Sequence, residues 1–295
     1  PLWWFVPSEY ENNYQEYCRI LLEKRFVRAE QVIDLGGLSD IPVNEFITAA
    51  IWQMYKAIQS PYKSILKLVL LEVYAHEFPE PNFLAHQFKR FIERSPEDID
   101  ASDPYLLLLS RLEEHLQAQG FTKRLETIRR SFYFKTGRSL SKKQSETSTS
   151  WQDDLLENQV NRWNWRQDKL ENMDNRKRWP ATNVINERQR LVTDLMNSYR
   201  MLSEFVRQHN SQCSPLHNEV TILGRKLYAA FERKSGKIEW INPDISPDIS
   251  EKDLSFHPQP DKNFEHHWRL YTQRQPTPID FQKPLKTSRS LVELA

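Results

Sequence analysis

Apolar residues recur at steps of three and four along most of this 295-residue chain, which is the spacing of amphipathic α-helices. The longest such pattern runs from about residue 183 to 209 and places Leu191, Leu195 and Leu202 on one helix face. Only six residues are glycine, so few positions offer the left-handed turns that a turn-rich β-sandwich or barrel needs. The sequence therefore predicts a mainly α fold of one or more multi-helix domains, with a short β or irregular C-terminal tail.

Two predicted helices meet at the dipeptide Ser60-Pro61. The pattern before it ends at Tyr55, and the pattern after it is apolar on nearly all sides from Ile65 to Tyr74. Serine is a preferred N-cap residue and proline suits the first position of a helix, so we expect the second helix to begin at Pro61. Because a helix that is apolar on most faces is buried, this helix is expected inside the fold.

The same patterns give the remaining elements and the domain limits. Further predicted helices span about residues 9–24, 82–94, 104–118, 121–138, 151–170 and 216–233. Seven of the 17 prolines follow residue 242, and strands are expected at 238–241 and 268–271. In chain order, we predict the end of an upstream domain at 1–8, a first helical block at 9–138, a flexible loop at 139–150, a second helical block at 151–235 and the start of a β or irregular C-terminal regulatory region at 236–295.

Charge, cysteine content and hydropathy exclude several classes of protein. The 41 Lys and Arg residues balance 40 Asp and Glu residues, so the chain lacks the basic excess typical of nucleic-acid-binding proteins. Cys18 and Cys213 show no zinc-ligand spacing, which indicates a reducing compartment. The longest apolar run near either end, Leu2 to Val6, is far shorter than the ~20 residues of a membrane span. We therefore expect a cytoplasmic protein and, since Pro1 is no initiator methionine, a segment of a longer chain.

Three patterns resemble metal or phosphate sites but have simpler explanations. Asp98-Ile99-Asp100 has the form of a two-metal site, although the Ser and Pro residues around it are typical of a loop that caps a helix. Residues 36–40 resemble a phosphate loop without its lysine, and a turn between helices explains them better. His257, His266 and His267 could bind a divalent ion, but no helical spacing supports this. We predict no metal site in the chain.

A basic segment runs from Lys123 to Lys143, where eight Lys and Arg residues accompany a single acidic residue. Such a segment can bind an acidic partner or a phosphate backbone. The more usual meaning is a solvated helix face whose aromatic residues belong to the core. As candidates for partner binding we select Arg129, Arg130 and Lys135.

The helix that begins at Pro61 offers the better candidate site. The first turn of a helix has free N–H groups and a partial positive charge, both of which attract anions. Lys63 and Lys67 are one turn apart and would share a face next to Ser60. These three residues form a candidate polyphosphate site. The spacing is equally consistent with two lysines that mark the solvent edge of a buried helix.

The sequence around this point resembles the signature of the bacterial class I adenylate cyclases. The resemblance is carried by Glu45 to Lys56 (EFITAAIWQMYK) and by Ala57 to Tyr74 (AIQSPYKSILKLVLLEVY). One departure is Thr48, where the family has glycine and where a larger side chain could alter a close helix contact. Shorter matches support the resemblance at 33–39 (IDLGGLS), 132–135 (FYFK), 225–232 (RKLYAAFE) and 241–246 (INPDIS).

The resemblance implies a reaction and a place for this chain within it. The reaction is conversion of ATP to 3′,5′-cyclic AMP and pyrophosphate, by a nucleotidyltransferase-type domain that uses Mg²⁺. The Gly-Ser and Asp-x-Asp residues of the family would lie before Pro1, so no catalytic residue or Mg²⁺ ligand is expected here. Residues 1–7 would be the last strand of the catalytic domain, and residues 9 to about 235 the helical region behind it.

The resemblance also gives roles to the candidate residues. Lys63 and Lys67 would contact the β and γ phosphates of ATP, with assistance from Ser60. The C-terminal tail would begin a regulatory part that responds to the glucose-specific phosphotransfer protein. The segment alone is expected to be inactive.

Two alternatives remain open at this level. The chain could be a non-catalytic helical scaffold that binds a regulatory protein partner through its basic segment. It could also be a helical RNA-binding protein, which the balanced charge and an isoelectric point near 8.2 disfavour.

Overall fold

A computed structural model describes residues 2–35, 41–94, 103–141, 150–209, 216–231, 242–247, 249, 251–260, 266–272, 284–292 and 294. The described residues form ten α-helices and one small sheet, which confirms the predicted mainly α fold with a short β region near the C-terminus. The helices are α1 (Tyr14–Glu23), α2 (Val43–Gln59), α3 (Pro61–Glu77), α4 (Leu84–Arg94), α5 (Pro104–Ala118), α6 (Thr122–Thr136), α7 (Trp151–Arg162), α8 (Gln167–Asp174), α9 (Ala181–Gln208) and α10 (Leu216–Phe231).

The sheet is antiparallel and has the strand order β1-β2-β3. Its strands are β1 (Ser255–Pro260), β2 (His266–Tyr271) and β3 (Lys286–Ser288). Phe256 lies opposite Leu270, and Leu270 lies opposite Lys286 on the other side. Strand β2 confirms the strand predicted at 268–271. The strand predicted at 238–241 lies outside the described residues.

The chain divides into two compact units, each made of separate stretches of sequence. The first unit consists of Pro1–Ala57, Lys63–Phe132 and Leu195–Leu223, and the second of Ile58–Tyr62, Tyr133–Asp194 and Gly224–Ala295.

The core of the first unit is aliphatic. Ile47, Met54, Val69 and Leu112 have no exposed surface or almost none, and they come from α2, α3 and α5. These positions follow the helical spacing seen in the sequence, since one apolar face of each amphipathic helix is removed from water.

The core of the second unit is aromatic. The ring centroid of Trp165 lies 4.7 Å from that of Trp163 and 5.8 Å from that of Tyr133. The Tyr133 hydroxyl donates a hydrogen bond of 2.7 Å to Asp174, which also accepts one of 2.8 Å from the Ser141 amide. The buried phenol therefore has a partner, as buried polar groups require.

The helix predicted at 151–170 is wrong, because two helices occupy this range. Helix α7 begins after Ser150 with a capping box between Ser150 and Asp153, and it ends at Arg162. Asn164 then takes a left-handed conformation with φ of 54° before α8 begins. Asparagine tolerates this conformation better than most residues, so it stops the helix without a glycine.

The strand expected at residues 1–7 is also wrong. Residues Leu2–Phe5 form a short 3₁₀ helix, and a second one covers Ser8–Asn13 immediately before α1. In a strand with one buried face, every second residue would be buried. Here the neighbours Leu2 and Trp3 are both buried, and the neighbours Trp4 and Phe5 are both exposed.

Several predicted features lie outside the described residues. They are the turn at 36–40, the Asp98 to Asp100 loop and residues 142–149 of the predicted flexible loop. Among the helices that the structure does describe, none combines the length and apolar character needed to cross a bilayer.

Candidate phosphate-binding helix

The junction of α2 and α3 has the predicted form, because α2 ends at Gln59 and Pro61 is the first residue of α3. The side-chain amide of Asn242 donates hydrogen bonds to the carbonyl oxygens of Ile58 and Gln59, at 2.7 and 2.8 Å. Asn242 therefore satisfies two carbonyl groups that the end of α2 leaves without helical partners. No sequence pattern linked it to a position more than 180 residues away.

Tyr62 fixes the first turn of α3. Its side chain is 5% exposed, and its hydroxyl donates a hydrogen bond of 3.3 Å to the Glu187 carboxylate. The ring centroid of Tyr62 lies 4.8 Å from that of Phe134, and the Arg176 guanidinium lies over both rings. A buried aromatic ring with contacts on several sides holds its own position in the first turn of α3 firmly.

Lys63 and Lys67 are both exposed, and the residues between them on α3 are buried. The spacing of four residues places the two ammonium groups on one face, one turn apart. In the described part of the chain neither lysine forms an ion pair, so their positive charge is not neutralised by a carboxylate there. This face can neutralise an anion. Ser60 is half-buried and lies directly before the first residue of the helix.

A buried ion pair lies on another side of α3. Glu72 is five residues after Lys67, which places it roughly 140° around the helix. Arg124 donates to both Glu72 carboxylate oxygens, at 2.7 and 2.8 Å, and the His115 imidazole lies 4.0 Å away. Burial alone would raise the pKa of the Glu72 carboxyl, but the neighbouring His115 and Arg124 lower it to about 2.

The comparison with known proteins decides the family. Residues 41–242 match the model described as the second domain of class I adenylate cyclase. The chain belongs to the class I adenylate cyclase family. A curated relative, the adenylate cyclase of Salmonella typhimurium, is 37% identical over 296 residues, which cover 99% of this chain and 35% of the relative. The adenylate cyclases of Yersinia intermedia and Escherichia coli K12 are 37% and 36% identical, with the same coverage.

The chain therefore spans about a third of the length of the curated adenylate cyclases it matches. No solved structure matches it. The match to the second domain of the family includes α2, α3 and Asn242, so the candidate residues Ser60, Lys63 and Lys67 all lie within it.

Thr48 replaces the usual glycine of the adenylate cyclase signature. It is exposed on α2, and its hydroxyl donates a hydrogen bond of 2.7 Å to the Asn44 carbonyl oxygen one turn earlier. The added side chain faces solvent, so the substitution is accommodated without a clash.

The three residues selected for partner binding are differently placed. Arg129 donates to the Glu113 carboxylate at 2.6 Å, and its side chain is 20% exposed. Arg130 and Lys135 are half-buried on α6. Two other guanidinium groups of the basic segment, those of Arg124 and Arg138, are also paired with carboxylates. Much of the positive charge of this segment is therefore neutralised within the chain.

The three histidines considered as metal ligands lie on the first two strands. In the strand register His257 is opposite Arg269, His267 is opposite Gln259 and His266 is opposite Pro260. The His257 ring packs against Tyr271, with ring centroids 5.5 Å apart. Across the described residues, no three His, Cys, Asp or Glu side chains are grouped so that they could hold a metal ion.

Proposed function

We propose that the whole protein to which this chain belongs converts ATP to 3′,5′-cyclic AMP and pyrophosphate. The observation that carries the proposal is the match of residues 41–242 to the second domain of class I adenylate cyclase. It is supported by relatives that are named adenylate cyclases and align with 99% of the chain. The alternative, a non-catalytic helical scaffold, is not favoured by this family membership. Because ATP is the substrate, we place the reaction in the cytoplasm.

In this reaction the ribose 3′ hydroxyl attacks the α-phosphorus, and the bond from that phosphorus to the β-phosphate oxygen breaks. The hydroxyl proton passes to a base, and pyrophosphate leaves with additional negative charge. Mg²⁺ is the proposed cofactor, with ligands and catalytic residues outside this chain, before Pro1, in a nucleotidyltransferase-type domain. The described residues of this chain do not supply a metal site, so we assign them no step that involves Mg²⁺.

We propose that the contribution of this chain is the helix start at Ser60, Lys63 and Lys67, which would bind the β and γ phosphates. Both ammonium groups are exposed on one face, next to the positive end of α3. Negative charge on the leaving pyrophosphate increases in the transition state, so positive groups fixed at this point stabilise it more than the bound substrate. Tyr62 lies between Ser60 and Lys63 in the sequence and is buried, so it would keep this turn rigid.

Kinetics of the full-length protein test this role. We expect Lys63→Ala or Lys67→Ala to raise the KM for ATP or to lower kcat by about 10- to 100-fold, since a hydrogen bond to a charged group contributes about 1.5–3 kcal/mol. Lys24→Ala, which removes an exposed lysine at the end of α1, is the matched control and should leave both constants unchanged. Wild-type kinetics in both α3 variants, with normal circular dichroism, would refute phosphate binding by this helix.

The regulatory partner is a further part of the proposal. The family resemblance implies the glucose-specific phosphotransfer protein, and Arg129, Arg130 and Lys135 are the candidate contacts in this chain. Arg129 is already paired with the Glu113 carboxylate, so a regulator that binds Arg129 would compete with this ion pair. Retention of the purified regulator by the immobilised full-length protein tests the partner. If Arg130→Glu and Lys135→Glu both leave retention unchanged, the contacts lie elsewhere.

A further inference from the structure

One face of α4 is covered by the segment at the start of the chain, residues 2–13, which we call the amino-terminal segment. His86, Lys89 and Glu93 follow each other at steps of three and four, so they share this face. Each of them contacts the amino-terminal segment through a polar group or a ring. Both elements belong to the first compact unit.

Lys89 makes the central contact. Its side chain is only 1% exposed, and its ammonium group donates a hydrogen bond of 2.8 Å to the Trp3 carbonyl oxygen and another to the Val6 carbonyl oxygen. The same nitrogen lies 4.3 Å from the centre of the Trp3 ring. The ammonium therefore binds one carbonyl oxygen within the Leu2–Phe5 helix, which also accepts a hydrogen bond from the Val6 amide at 3.3 Å, and one directly after that helix.

A carboxylate completes the environment of Lys89. One Glu11 oxygen lies 3.6 Å from the ammonium nitrogen, and the other lies 3.2 Å from Nδ1 of His86. Burial lowers the pKa of Lys89, and the nearby Glu11 charge opposes this effect. A charged amine is costly to bury unless it is paired and hydrogen-bonded. The amino-terminal segment supplies all the partners named here, so lysine and segment hold each other in place.

Two further contacts fix the direction of the segment. The Ser8 amide donates to both oxygens of the Glu93 carboxylate, at 3.2 and 3.3 Å. The Trp3 ring stacks on the His86 ring, with centroids 5.7 Å apart and an interplanar angle of 23°. The contacts at His86, Lys89 and Glu93, which lie one after another along one face of α4, define both the position and the orientation of the segment. A single contact would not fix the orientation.

The other side of the segment is apolar and packs within the amino-terminal part of the chain. Leu2 and Val6 form a small core with Cys18 and Leu21. The Leu2 amide also donates a hydrogen bond of 2.9 Å to the Ile33 carbonyl oxygen. The segment is therefore bound on two sides, by an apolar cluster and by the polar face of α4.

We propose that Lys89 is a positioning residue of the cyclase, which fixes residues 2–7 on α4 and thereby sets the placement of the region that precedes Leu2. This inference rests on the proposed function, in which that region carries the catalytic residues. Lys89 itself touches no substrate and acts through the Trp3 and Val6 carbonyl groups. Misplacement of reacting groups by about 1 Å can reduce turnover by about 100-fold, so loss of this contact should reduce kcat rather than the affinity for ATP.

Lys89→Met in the full-length protein tests the proposal, because it keeps the length and apolar part of the side chain and removes the three N–H donors. We expect kcat to fall by about 10- to 100-fold with KM for ATP within twofold of wild type. Hydrogen exchange measured by mass spectrometry should rise in peptides from residues 2–13 and stay unchanged in peptides from α3. Arg90→Met is the matched control, since Arg90 is exposed and its guanidinium contacts only His86 and Asn82 among the described residues.

The outcomes separate the two proposals. If the wild type is active and Lys89→Met has the same kcat, the role of Lys89 is rejected and the proposed function is unaffected. An increase in exchange that extends through α3 also rejects it, because Lys89 would then stabilise the whole unit. A full-length wild type without cyclase activity rejects the proposed function, and the positioning role falls with it, while the exchange result still shows whether Lys89 holds the segment.

Discussion

The ion pair between Glu72 and Arg124 gives a prediction whose size follows from its geometry. The two side chains are 11% and 10% exposed, and both guanidinium N–H groups that face the carboxylate donate to it. Arg124→Met would leave the carboxylate buried with only the His115 imidazole nearby. Removal of one partner from a buried pair costs about 3–5 kcal/mol, and we expect about 3 kcal/mol because the carboxylate keeps some contact with water.

The pKa of Glu72 fixes how this loss depends on pH. The ordinary value for the carboxyl is 4.5 and the value in the folded chain is about 2, so the folded state favours the charged form. The pair therefore stabilises the fold above pH 4.5, and this stabilisation is lost as pH falls toward 2. The stability difference between wild type and Arg124→Met should be largest near pH 7 and should shrink as the pH falls toward 2, because a protonated Glu72 carboxyl no longer needs a positively charged partner.

Urea unfolding followed by circular dichroism measures the effect. With a slope of about 2 kcal/mol per molar urea, a loss of about 3 kcal/mol shifts the midpoint by about 1.5 M. The double variant Arg124→Met/Glu72→Met should recover more than half of this shift, because it contains no unpaired buried charge. Arg19→Met is the control, since Arg19 and its partners Glu16 and Glu23 are 58% exposed and exposed ion pairs contribute little to stability.

Two results would contradict this reasoning. One is an Arg124→Met midpoint that is no lower than that of the Arg19→Met control. The other is a double variant that is less stable than the single variant, which would mean that packing of the two side chains, and not the unpaired charge, determines the loss.

Two further substitutions test backbone features of the fold. Asn242→Asp replaces the amide donor that binds the Ile58 and Gln59 carbonyl oxygens with an acceptor. Urea unfolding should therefore show a loss of about 2–3 kcal/mol in the stability of the second unit. Asn186→Asp, at an exposed position of α9, is the control and should have no measurable effect. Asn164→Val should lower the free energy of unfolding by about 1–2 kcal/mol, because the backbone φ of residue 164 is 54° and valine disfavours that conformation. Asn164→Gly should be nearly neutral, since glycine adopts positive φ without strain. Equal losses in the two variants would show that this conformation does not limit stability.

Local sequence signals predicted the helix limits where they were strong. The Ser60-Pro61 dipeptide marks both the end of α2 and the start of α3, because proline cannot continue the first helix and fits the first turn of the second. Asp103 before Pro104 acts in the same way at the start of α5, where its carboxylate accepts a hydrogen bond from the Tyr105 amide. Such signals involve neighbouring residues only, so they can be read without knowledge of the fold.

The sequence does not predict the break between α7 and α8, because the apolar spacing at this point is that of one continuous helix. Trp163 is buried three residues after the buried Val160, so it continues the apolar spacing of α7 to the break, and Trp165 is buried directly after it. No proline or glycine marks the position, and Asn164 is the only local indication between them. A stop made by one asparagine in the left-handed region is difficult to separate from a polar position on a helix surface.

The contact at Lys89 could not be predicted for a different reason. In sequence, His86, Lys89 and Glu93 form the polar face of an amphipathic helix, which is normally the face in contact with water. The segment that covers it comes from more than 80 residues earlier, and the apolar run Leu2 to Val6 was expected to be a strand. In a paired strand, the carbonyl groups form hydrogen bonds to the neighbouring strand of the sheet. At the end of a 3₁₀ helix, carbonyl groups are open to other donors. The Lys89 ammonium reaches both the Trp3 and the Val6 carbonyl oxygens, and the turn between Trp3 and Val6 brings these two groups together. The polar face of α4 and the conformation of the segment therefore depend on each other, and neither could be predicted alone.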